Sequence, residues 1–297
     1  MGKSTKSRFS RVLDGSECVL AANIFDPLSA RIASLLDYEV CFLSGSVGKA
    51  ANLGVPDLVM TNMSDLVDHC RRITRVGDIT LMLDGEDGFG GPVNVIRTVR
   101  ELEAAGVSAI EIEDNIPHRG FNQEDPGLIT KSEQVFKLKA AVDARVDPET
   151  VIVARTAALS YCSLDEALDR INSYSDTGVG AVRLSGLKTL AQLEAVHRST
   201  HLPLTVLSPP VEVGTNLDFL AGNGVRVLMA GNPAYAMAVK SIYDCFAYLK
   251  NGGAISGLSE FEASSDLLKS VTQIDELMEL QNKYLTCLLY TSPSPRD

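Results

Sequence analysis

Residues 81–91, LMLDGEDGFGG, decide how the rest of the chain is interpreted. The three apolar residues at the start predict a buried strand, and the carboxylates of Asp84, Glu86 and Asp87 follow directly. In parallel α/β folds, functional side chains gather just beyond the carboxyl ends of such strands. Neighbouring carboxylates repel one another, so we expect a cation or hydrogen-bond donors beside them. A solvated acidic turn, closed by the glycines that follow, is the alternative.

The composition argues against several classes of protein. The 297 residues carry a net charge of −11, which disfavours nucleic acids and anionic membranes as partners because both attract basic surfaces. No run approaches the roughly 20 apolar residues that cross a membrane, and the polar start lacks the apolar core of a signal peptide. The six cysteines show no CxxC spacing, so we expect them to be reduced. These features predict a cytoplasmic protein.

Short apolar strands alternate with amphipathic helical patterns along most of the chain. The predicted strands are 19–23, 40–43, 80–84, 109–113, 151–155, 181–184, 204–207 and 225–229. The helical patterns are 27–36, 63–76, 92–105, 131–145, 163–176, 189–199, 215–222 and 233–250. Such an alternation predicts a (β/α)8 TIM barrel. An open doubly wound sheet is the alternative, but no GxGxxG motif follows the first strand.

The pattern divides the chain into three regions. Residues 1–250 are predicted to form the barrel domain with a short N-terminal helix, and the long polar loop at 115–131 is typical of a lid. Residues 251–286 predict a helical extension, with a helix over 259–285 whose apolar stripe indicates packing on a neighbouring subunit or across the outside of the barrel. Residues 287–297 predict a disordered tail, for which a non-native origin is the alternative.

Polar residues also follow other predicted strands. After the second strand come Ser44, Gly45 and Ser46, small residues whose backbone N–H groups can approach an anion closely. The fourth strand ends at Glu113 and the fifth at Arg155, which can clamp a carboxylate or phosphate or pair with a neighbouring glutamate. Because the carboxyl ends of parallel strands meet at one rim, the pattern predicts a site for an anion and a metal ion. Magnesium suits carboxylate ligands of this kind.

Six short motifs together resemble the isocitrate lyase and phosphoenolpyruvate mutase superfamily. They are FDPLSARIA (25–33), SGSV (44–47), VPD (55–57), DGEDGFG (84–90), IED (112–114) and ART (154–156). The segments DARVDPETVIVART and AYAMAVKSIYDC are most similar to the oxaloacetate decarboxylase-like branch. The resemblance implies an (α/β)8 barrel, a Mg²⁺ ion that Mn²⁺ can replace, and α-keto or enol acid substrates. It also implies a homotetramer, a dimer of dimers, that exchanges its C-terminal helix between subunits.

The same resemblance implies roles for individual residues. The implied metal-binding residues are Glu86, which binds directly, and Asp84 and Glu113, which hold metal-bound water. The implied substrate-binding residues are Ser44, Gly45, Ser46, Arg155 and Asn232. The implied catalytic residues are Arg155, Ser46, Asp57 and Asn232.

These matches predict a carbon–carbon lyase that decarboxylates oxaloacetate, or a close β-keto acid, to pyruvate and CO₂ through a metal-stabilised enolate. Three residues depart from the pattern of the branch: Glu86 stands where Asp is usual, Ala157 where Asn or Asp is common, and Asn232 where His is usual. Carbon–phosphorus chemistry on phosphonopyruvate or carboxyphosphonoenolpyruvate-type substrates is the first alternative. A barrel that binds an α-keto acid without turnover is the second.

Overall fold

A computed structural model describes residues 5–58, 60–117 and 127–285 of the chain. The predicted lid at 115–131 is therefore described only at its two ends, and His118 and Arg119 within it lie outside the described residues. The predicted tail at 287–297 lies outside them as well. The chain divides into two compact units, Met1–Ala238 and Val239–Asp297.

The first unit contains a closed barrel of eight parallel strands, in which each strand pairs with its neighbours in chain order and the last pairs with the first. The strands are β1 (Val19–Ile24), β2 (Cys41–Leu43), β3 (Leu81–Asp84), β4 (Ala109–Glu113), β5 (Val151–Thr156), β6 (Ala181–Leu184), β7 (Leu204–Leu207) and β8 (Val225–Met229). Each overlaps a strand predicted from the apolar runs, so the predicted (β/α)8 barrel is confirmed.

Helices connect the strands of the barrel. They are α1 (Thr5–Asp14), α2 (Pro27–Leu35), α3 (Gly45–Leu53), α4 (Met63–Thr74), α5 (Pro92–Ala104), α6 (Lys131–Ala144), α7 (Ala158–Tyr161), α8 (Leu164–Ser175), α9 (Leu190–Ser199), α10 (Leu217–Gly222) and α11 (Pro233–Lys250), which continues into the second unit. The sequence patterns did not predict α3 and α7. Helix α3 begins inside the small-residue segment that follows the second strand, and it ends just before Gly54, whose φ of 67° suits glycine.

Apolar side chains fill the barrel and close its amino-terminal end. Phe42 and Met82, on neighbouring strands, are fully buried, and Phe9 of α1 packs in the same cluster. Arg8 of α1 donates a hydrogen bond to the carbonyl of Asp78, just before β3. Helix α1 therefore covers the amino-terminal ends of the strands, and the polar side chains that follow the strands lie at the opposite rim.

A buried glutamate, Glu103 of α5, anchors the loop that leads into β5. Its carboxylate accepts hydrogen bonds from the backbone N–H groups of Val146 at 2.8 Å and Asp147 at 2.7 Å. It also accepts one from the hydroxyl of Thr150 at 2.7 Å. The anchor fixes the amino-terminal end of β5, far from the carboxyl-terminal rim.

We expect Glu103→Ala to lower the free energy of unfolding by about 2–3 kcal/mol, because two N–H groups and a hydroxyl lose a charged acceptor. Urea unfolding followed by circular dichroism measures this difference. The control is Glu103→Gln, which keeps one acceptor oxygen and should lose less. A loss below about 0.5 kcal/mol in Glu103→Ala, the range of ordinary surface changes, would contradict the anchoring role.

The second unit contains the end of α11, a 3₁₀ turn (Ile255–Leu258), α12 (Ser265–Thr272) and α13 (Ile274–Leu285). The single helix predicted over 259–285 is therefore wrong. Gln273 adopts a left-handed conformation, with φ of 53°, which ends α12 before α13 begins. The predicted extension at 251–286 belongs entirely to this unit. No helix among the described residues is long and apolar enough to cross a membrane, and the cytoplasmic location stays a prediction.

Candidate active site

The carboxyl-terminal ends of β3, β4 and β5 bring one arginine and two acids together. Arg155 donates from Nη1 to Oδ2 of Asp84 at 2.6 Å, and its Nη2 lies 3.1 Å from Oε2 of Glu113. The strand register accounts for this contact, because Glu113 is the direct partner of Arg155 across β4 and β5. The Nε atom of Arg155 is buried without a hydrogen-bond partner among the described residues. Pairing with neighbouring acids is one of the two roles that the sequence suggested for this arginine.

Glu86 lies beside this group and pairs with a lysine. The Nζ atom of Lys49, on α3, lies 2.6 Å from Oε1 of Glu86 and 2.9 Å from Oδ1 of Asp57. The Lys49 side chain is 6% exposed, whereas that of Asp57 is 61% exposed. The backbone of Glu86 is strained, with φ of 54°. The carboxylate of Asp84 supports this turn by accepting a hydrogen bond from the N–H of Glu86 at 3.1 Å.

The beginning of α3 approaches the same carboxylates. A Cβ added to Gly45 would lie 2.5 Å from Oε1 of Glu86 and 3.2 Å from Oδ2 of Asp84, so both oxygens point to the space beside this glycine. The hydroxyls of Ser44 and Ser46 lie 3.0 Å apart. Ser44 precedes the helix without capping it through its side chain, and the first N–H groups of a helix have no partner within the helix. The helix start therefore offers donors and a favourable dipole to an anion.

A second ion pair lies one layer deeper in the barrel. Arg183 of β6 contacts Glu111 of β4, and the two side chains are 2% and 0% exposed. The guanidinium of Arg183 also lies over the ring of Phe42, 5.3 Å from the ring centroid. Burial raises the pKa of Glu111 to about 7, although the charge of Arg183 opposes the shift. This pair separates the polar rim from the apolar interior.

The acids of the rim have pKa values shifted in opposite directions. Burial raises the pKa of Glu86, and the nearby charge of Asp84 raises it further. Burial likewise raises the pKa of Glu113, against the lowering effect of Arg155. Burial would raise the pKa of Asp84 as well, but the charges of Arg155 and Arg183 outweigh it and hold that pKa well below its usual range. Burial is the largest cause of both raised pKa values, so the charged forms of Glu86 and Glu113 are disfavoured here unless a cation compensates them.

The third carboxylate of the opening stretch closes a turn. Asp87 accepts hydrogen bonds from the N–H groups of Phe89 at 3.0 Å and Gly90 at 3.2 Å. Its Oδ2 lies 3.3 Å from Nζ of Lys137, which is 3% exposed. Asp87 therefore has a structural role beside the site.

A buried acid also fixes the segment that follows Arg155. Asp114 is fully buried and accepts hydrogen bonds from the hydroxyls of Thr156 at 2.7 Å and Tyr174 at 2.9 Å. It also accepts one from the N–H of Ala157 at 3.2 Å. These bonds hold the end of β5 and thereby the backbone that positions Arg155.

Asn232 lies on the β8–β1 side of the rim, whereas the acids and Arg155 lie on the side formed by β3 to β5. The side-chain amide of Asn23 donates a hydrogen bond to Oδ1 of Asn232 at 3.2 Å. The side-chain oxygen of Asn23 is buried without a hydrogen-bond partner within the described part of the chain. The rim therefore carries an acidic group with arginine and lysine on one side and a neutral amide pair on the other.

The acidic side of the rim suits a hard divalent cation. Mg²⁺ commonly binds one or two carboxylates and keeps several waters, and Asp84 and Glu86 present oxygens to one space beside Gly45. Over residues 5–58, 60–117 and 127–285, no three Asp, Glu, His or Cys side chains form a complete metal-binding group. Water or substrate would therefore supply the other ligands.

Comparison with known proteins gives the family. The phosphoenolpyruvate phosphomutase family matches residues 9–249 of the chain. The chain belongs to the phosphoenolpyruvate mutase family. The superfamily resemblance that the six motifs carried is thereby confirmed.

Other members of the phosphoenolpyruvate mutase family are similar over nearly the whole chain. Oxaloacetate decarboxylase of Rhodopseudomonas palustris (strain ATCC BAA-98 / CGA009) is 38% identical over 274 residues, which are 92% of this chain and 94% of the relative. The enzyme of the same name from Bradyrhizobium diazoefficiens is 35% identical over 270 residues, 90% and 93% of the two chains. The crystal structure of phosphonopyruvate hydrolase complexed with oxalate and Mg²⁺ is 27% identical, with a TM-score of 0.85 over 95% of this chain and 100% of that one. Oxaloacetate acetylhydrolase, at 24% identity and a TM-score of 0.81 over 94% and 98% of the chains, shares the fold.

Sequence reasoning brought most of the rim residues together but missed Lys49. Arg155, Asp84 and Glu113 form one contact group, and Glu86 and Gly45 adjoin it. Lys49 lay in the unpredicted helix α3, within SGSVGKAANLG (44–54). A signal was present there, because a lysine flanked by small residues is a candidate for burial, and a buried lysine requires an acidic partner.

Proposed function

We propose that this chain is a carboxy-lyase that decarboxylates oxaloacetate, or a close β-keto acid, to pyruvate and CO₂. The observation that carries the proposal is the contact of Arg155 with Asp84 and Glu113 beside Glu86, which combines an anion-binding cation with carboxylates that could hold a metal ion. The relatives named oxaloacetate decarboxylase support this choice of substrate. The argument rests on the site, because a barrel by itself does not define a reaction.

The proposed cofactor is Mg²⁺, with Mn²⁺ as a substitute, and the similar phosphonopyruvate hydrolase was solved with Mg²⁺. Glu86 would hold the ion, and Asp84 and Glu113 would hold its water ligands. When bound, the ion would supply Lewis-acid stabilisation of the negative charge that develops on the keto oxygen. The longer side chain of Glu86, compared with the usual aspartate, is accommodated by the absence of a side chain at Gly45.

The side chains of the rim would bind and orient the substrate. Arg155, fixed by its two acids, would attract the C1 carboxylate, and the hydroxyl of Ser46 with the N–H groups at the start of α3 would donate to it. As the C3–C4 bond breaks, C4 leaves as CO₂, the electron pair remains on the pyruvate enolate, and C3 then takes up one proton. Asn232 can donate a hydrogen bond on the other side of the rim but cannot transfer a proton at neutral pH. Asp57 would act through Lys49, which it contacts.

Pyruvate formation from oxaloacetate tests this proposal. Purified protein with Mg²⁺ should form pyruvate well above the rate measured with Mg²⁺ alone. EDTA should remove the difference, and an excess of Mg²⁺ should restore it. A rate equal to that of Mg²⁺ alone would reject decarboxylation of oxaloacetate by this chain.

Gly45→Ala should lower this activity by about ten- to a hundredfold, because the new Cβ displaces the Glu86 carboxylate by a fraction of an ångström or more. The fold should persist, since the clashing atom is the end of a flexible side chain. Steady-state kinetics and thermal unfolding measure the two effects. Gly222→Ala is the matched control, because that helical glycine has open space where its Cβ would be, and it should keep full activity. Equal activity in the two variants would contradict the placement of Glu86.

Hydrolysis of phosphonopyruvate is the second candidate function. The structural similarity to phosphonopyruvate hydrolase, at a TM-score of 0.85, favours it. Phosphate release from phosphonopyruvate, assayed with the same protein and Mg²⁺, distinguishes the two reactions. A higher kcat/KM for phosphonopyruvate than for oxaloacetate would replace the first proposal with this one.

We also propose that the chain forms a homotetramer through its second unit. In that unit Tyr243 and Phe246 of α11 and Tyr284 of α13 are 71%, 68% and 69% exposed. Exposed apolar surface of this kind is typical of an interface between proteins. Mass photometry should give four times the mass of one chain, and Phe246→Glu should shift the assembly toward smaller species. A monomer for the unmodified chain would contradict the proposal.

A further inference from the structure

Lys49 contacts the carboxylate oxygen of Glu86 that faces the proposed metal site. The Nζ atom of Lys49 lies 2.6 Å from Oε1 of Glu86. The same oxygen faces the space beside Gly45 to which Asp84 also points. A cation bound to Glu86 through this oxygen would meet the ammonium group at contact distance. Two positive charges at such a distance repel each other strongly in a partly buried site.

The charges around this point determine how strongly a further cation is held. The acids of the group are Asp57, Asp84, Glu86, Glu111 and Glu113, and the basic residues are Lys49, Arg155 and Arg183. In their charged forms, five negative and three positive groups leave a net charge of −2, which one divalent cation neutralises. Without Lys49 the net charge would be −3, and the attraction for a divalent cation would be greater.

Asp57 gives Lys49 a second partner. Its Oδ1 lies 2.9 Å from Nζ of Lys49, and Asp57 itself stands in the loop between α3 and α4. A small cavity beside Lys49 and Glu86 is also lined by Asn52 and Asp65. The ammonium can therefore leave Glu86 without losing its charged partner.

We infer that Lys49 is a positioning residue that lowers the affinity of the site for divalent cations, because it pairs with both Glu86 and Asp57 when the metal is absent and with Asp57 alone when the metal is bound. The inference rests on the proposed metal site and is independent of the choice of substrate. Lys49 acts through Glu86 and does not touch the reacting atoms. Removal of the charge of Lys49 should therefore change the affinity for the metal more directly than it changes any step of the reaction.

Titration of the full-length protein with Mn²⁺, followed by electron paramagnetic resonance, measures metal affinity without turnover. We expect Lys49→Met to lower the Kd for Mn²⁺ by about tenfold or more, since one opposing unit charge is removed. Lys137→Met is the matched control, because Lys137 is also buried and pairs with an acid of the same loop, Asp87 at 3.3 Å. Its Kd should change by less than about threefold. An equal decrease of the Kd for Mn²⁺ in Lys49→Met and Lys137→Met would overturn the inference, because it would indicate a general effect of charge.

A double-mutant cycle tests the role of Asp57. Asp57→Asn should raise the Kd for Mn²⁺ more in the otherwise unmodified chain than in the Lys49→Met background, because only in the former does part of the effect pass through the lysine. If Asp57→Asn raised the Kd for Mn²⁺ equally in the unmodified chain and in Lys49→Met, the proposed role of Asp57 as the partner that keeps Lys49 would be overturned.

Three further outcomes are decisive. An unchanged or higher Kd in Lys49→Met and in Lys49→Gln, with both variants folded by circular dichroism, would overturn the inference. Tight Mn²⁺ binding without turnover of oxaloacetate would reject the proposed function and leave the inference in place. Failure of every variant to bind Mn²⁺ would reject the metal site and the inference together.

Discussion

Arg155→Met is expected to lower pyruvate formation by about 10³-fold or more, because the site loses the charge that orients the substrate carboxylate. Asp84 and Glu113 would also lose their ion-pair partner, since the guanidinium nitrogens of Arg155 lie 2.6 Å and 3.1 Å from their carboxylates. The Met side chain has similar length but no charge, so packing changes little. Steady-state kinetics with Mg²⁺ should show the loss mainly in kcat/KM, since the arginine acts on binding and on orientation.

Two variants separate this effect from loss of folding. Arg155→Lys keeps the charge but cannot contact both acids in one plane, so an intermediate loss of about 10²-fold is expected. Arg226→Met is the control, because this arginine bonds the carbonyls of Ala221 and Val225 near the amino-terminal end of β8. It should retain activity within a few-fold. Activity of Arg155→Met within about tenfold of the unmodified chain would remove Arg155 from the mechanism.

The largest loss of stability is expected for Arg183→Met, at about 3–5 kcal/mol, because a fully buried carboxylate loses its partner. Glu111 is 0% exposed and contacts the Arg183 guanidinium directly. Urea unfolding measures the difference. Arg183→Met combined with Glu111→Gln removes the unpaired charge and should recover most of the lost stability. Equal stability of the single and double variants would show that the buried charge is not the cause.

The single variant Arg183→Met should become less stable as the pH rises. Burial already raises the pKa of Glu111 from 4.5 to about 7 against the opposing charge of Arg183, so the pKa rises further when Arg183 is removed. A group with a raised folded pKa stabilises the protein fully below its unfolded pKa, and that contribution is lost as the pH rises toward the folded pKa. From pH 4.5 to about 7 the contribution of Glu111 falls equally in both chains, so the deficit of Arg183→Met relative to the unmodified chain should grow only above about pH 7, by up to about 1.4 kcal/mol per unit. The deficit of the double variant should not grow with pH. If the deficit of Arg183→Met were independent of pH, Glu111 could not be its cause.

The barrel could be predicted from the sequence because its strands are short apolar runs that are followed by polar or small residues. All eight predicted strands appear, because residues buried on both faces of a parallel sheet leave a continuous apolar signal. Helix α3 was missed since its small residues, GSVGKAANL, carry little apolar periodicity. The break at Gln273 was missed because it depends on one left-handed residue that is not glycine, which no pattern of hydrophobicity records.

The rim was predictable in outline because charged residues stood directly after strands. Pairing of Arg155 with a neighbouring glutamate was one of the two roles that the sequence suggested, and the structure shows it at Glu113; the contact with Asp84 was not predicted. The partner of Glu86 was not predicted either, because Lys49 reaches it from helix α3, which the sequence patterns did not indicate. Asp87 lies one residue from Glu86 yet closes a turn, a difference set by backbone dihedral angles that the sequence alone did not specify.

The ion pair between Arg183 and Glu111 also bears on how this family can change its chemistry. It lies between the apolar interior, with Phe42 and Met82, and the charged rim above it. A side chain substituted at the rim therefore lies next to this buried ion pair. It does not lie next to the packed apolar side chains that hold the strands together. Exchanges at rim residues such as Asn232 are therefore expected to disturb the folding of the barrel less than exchanges in its interior, and new specificity can arise there without first requiring a new scaffold.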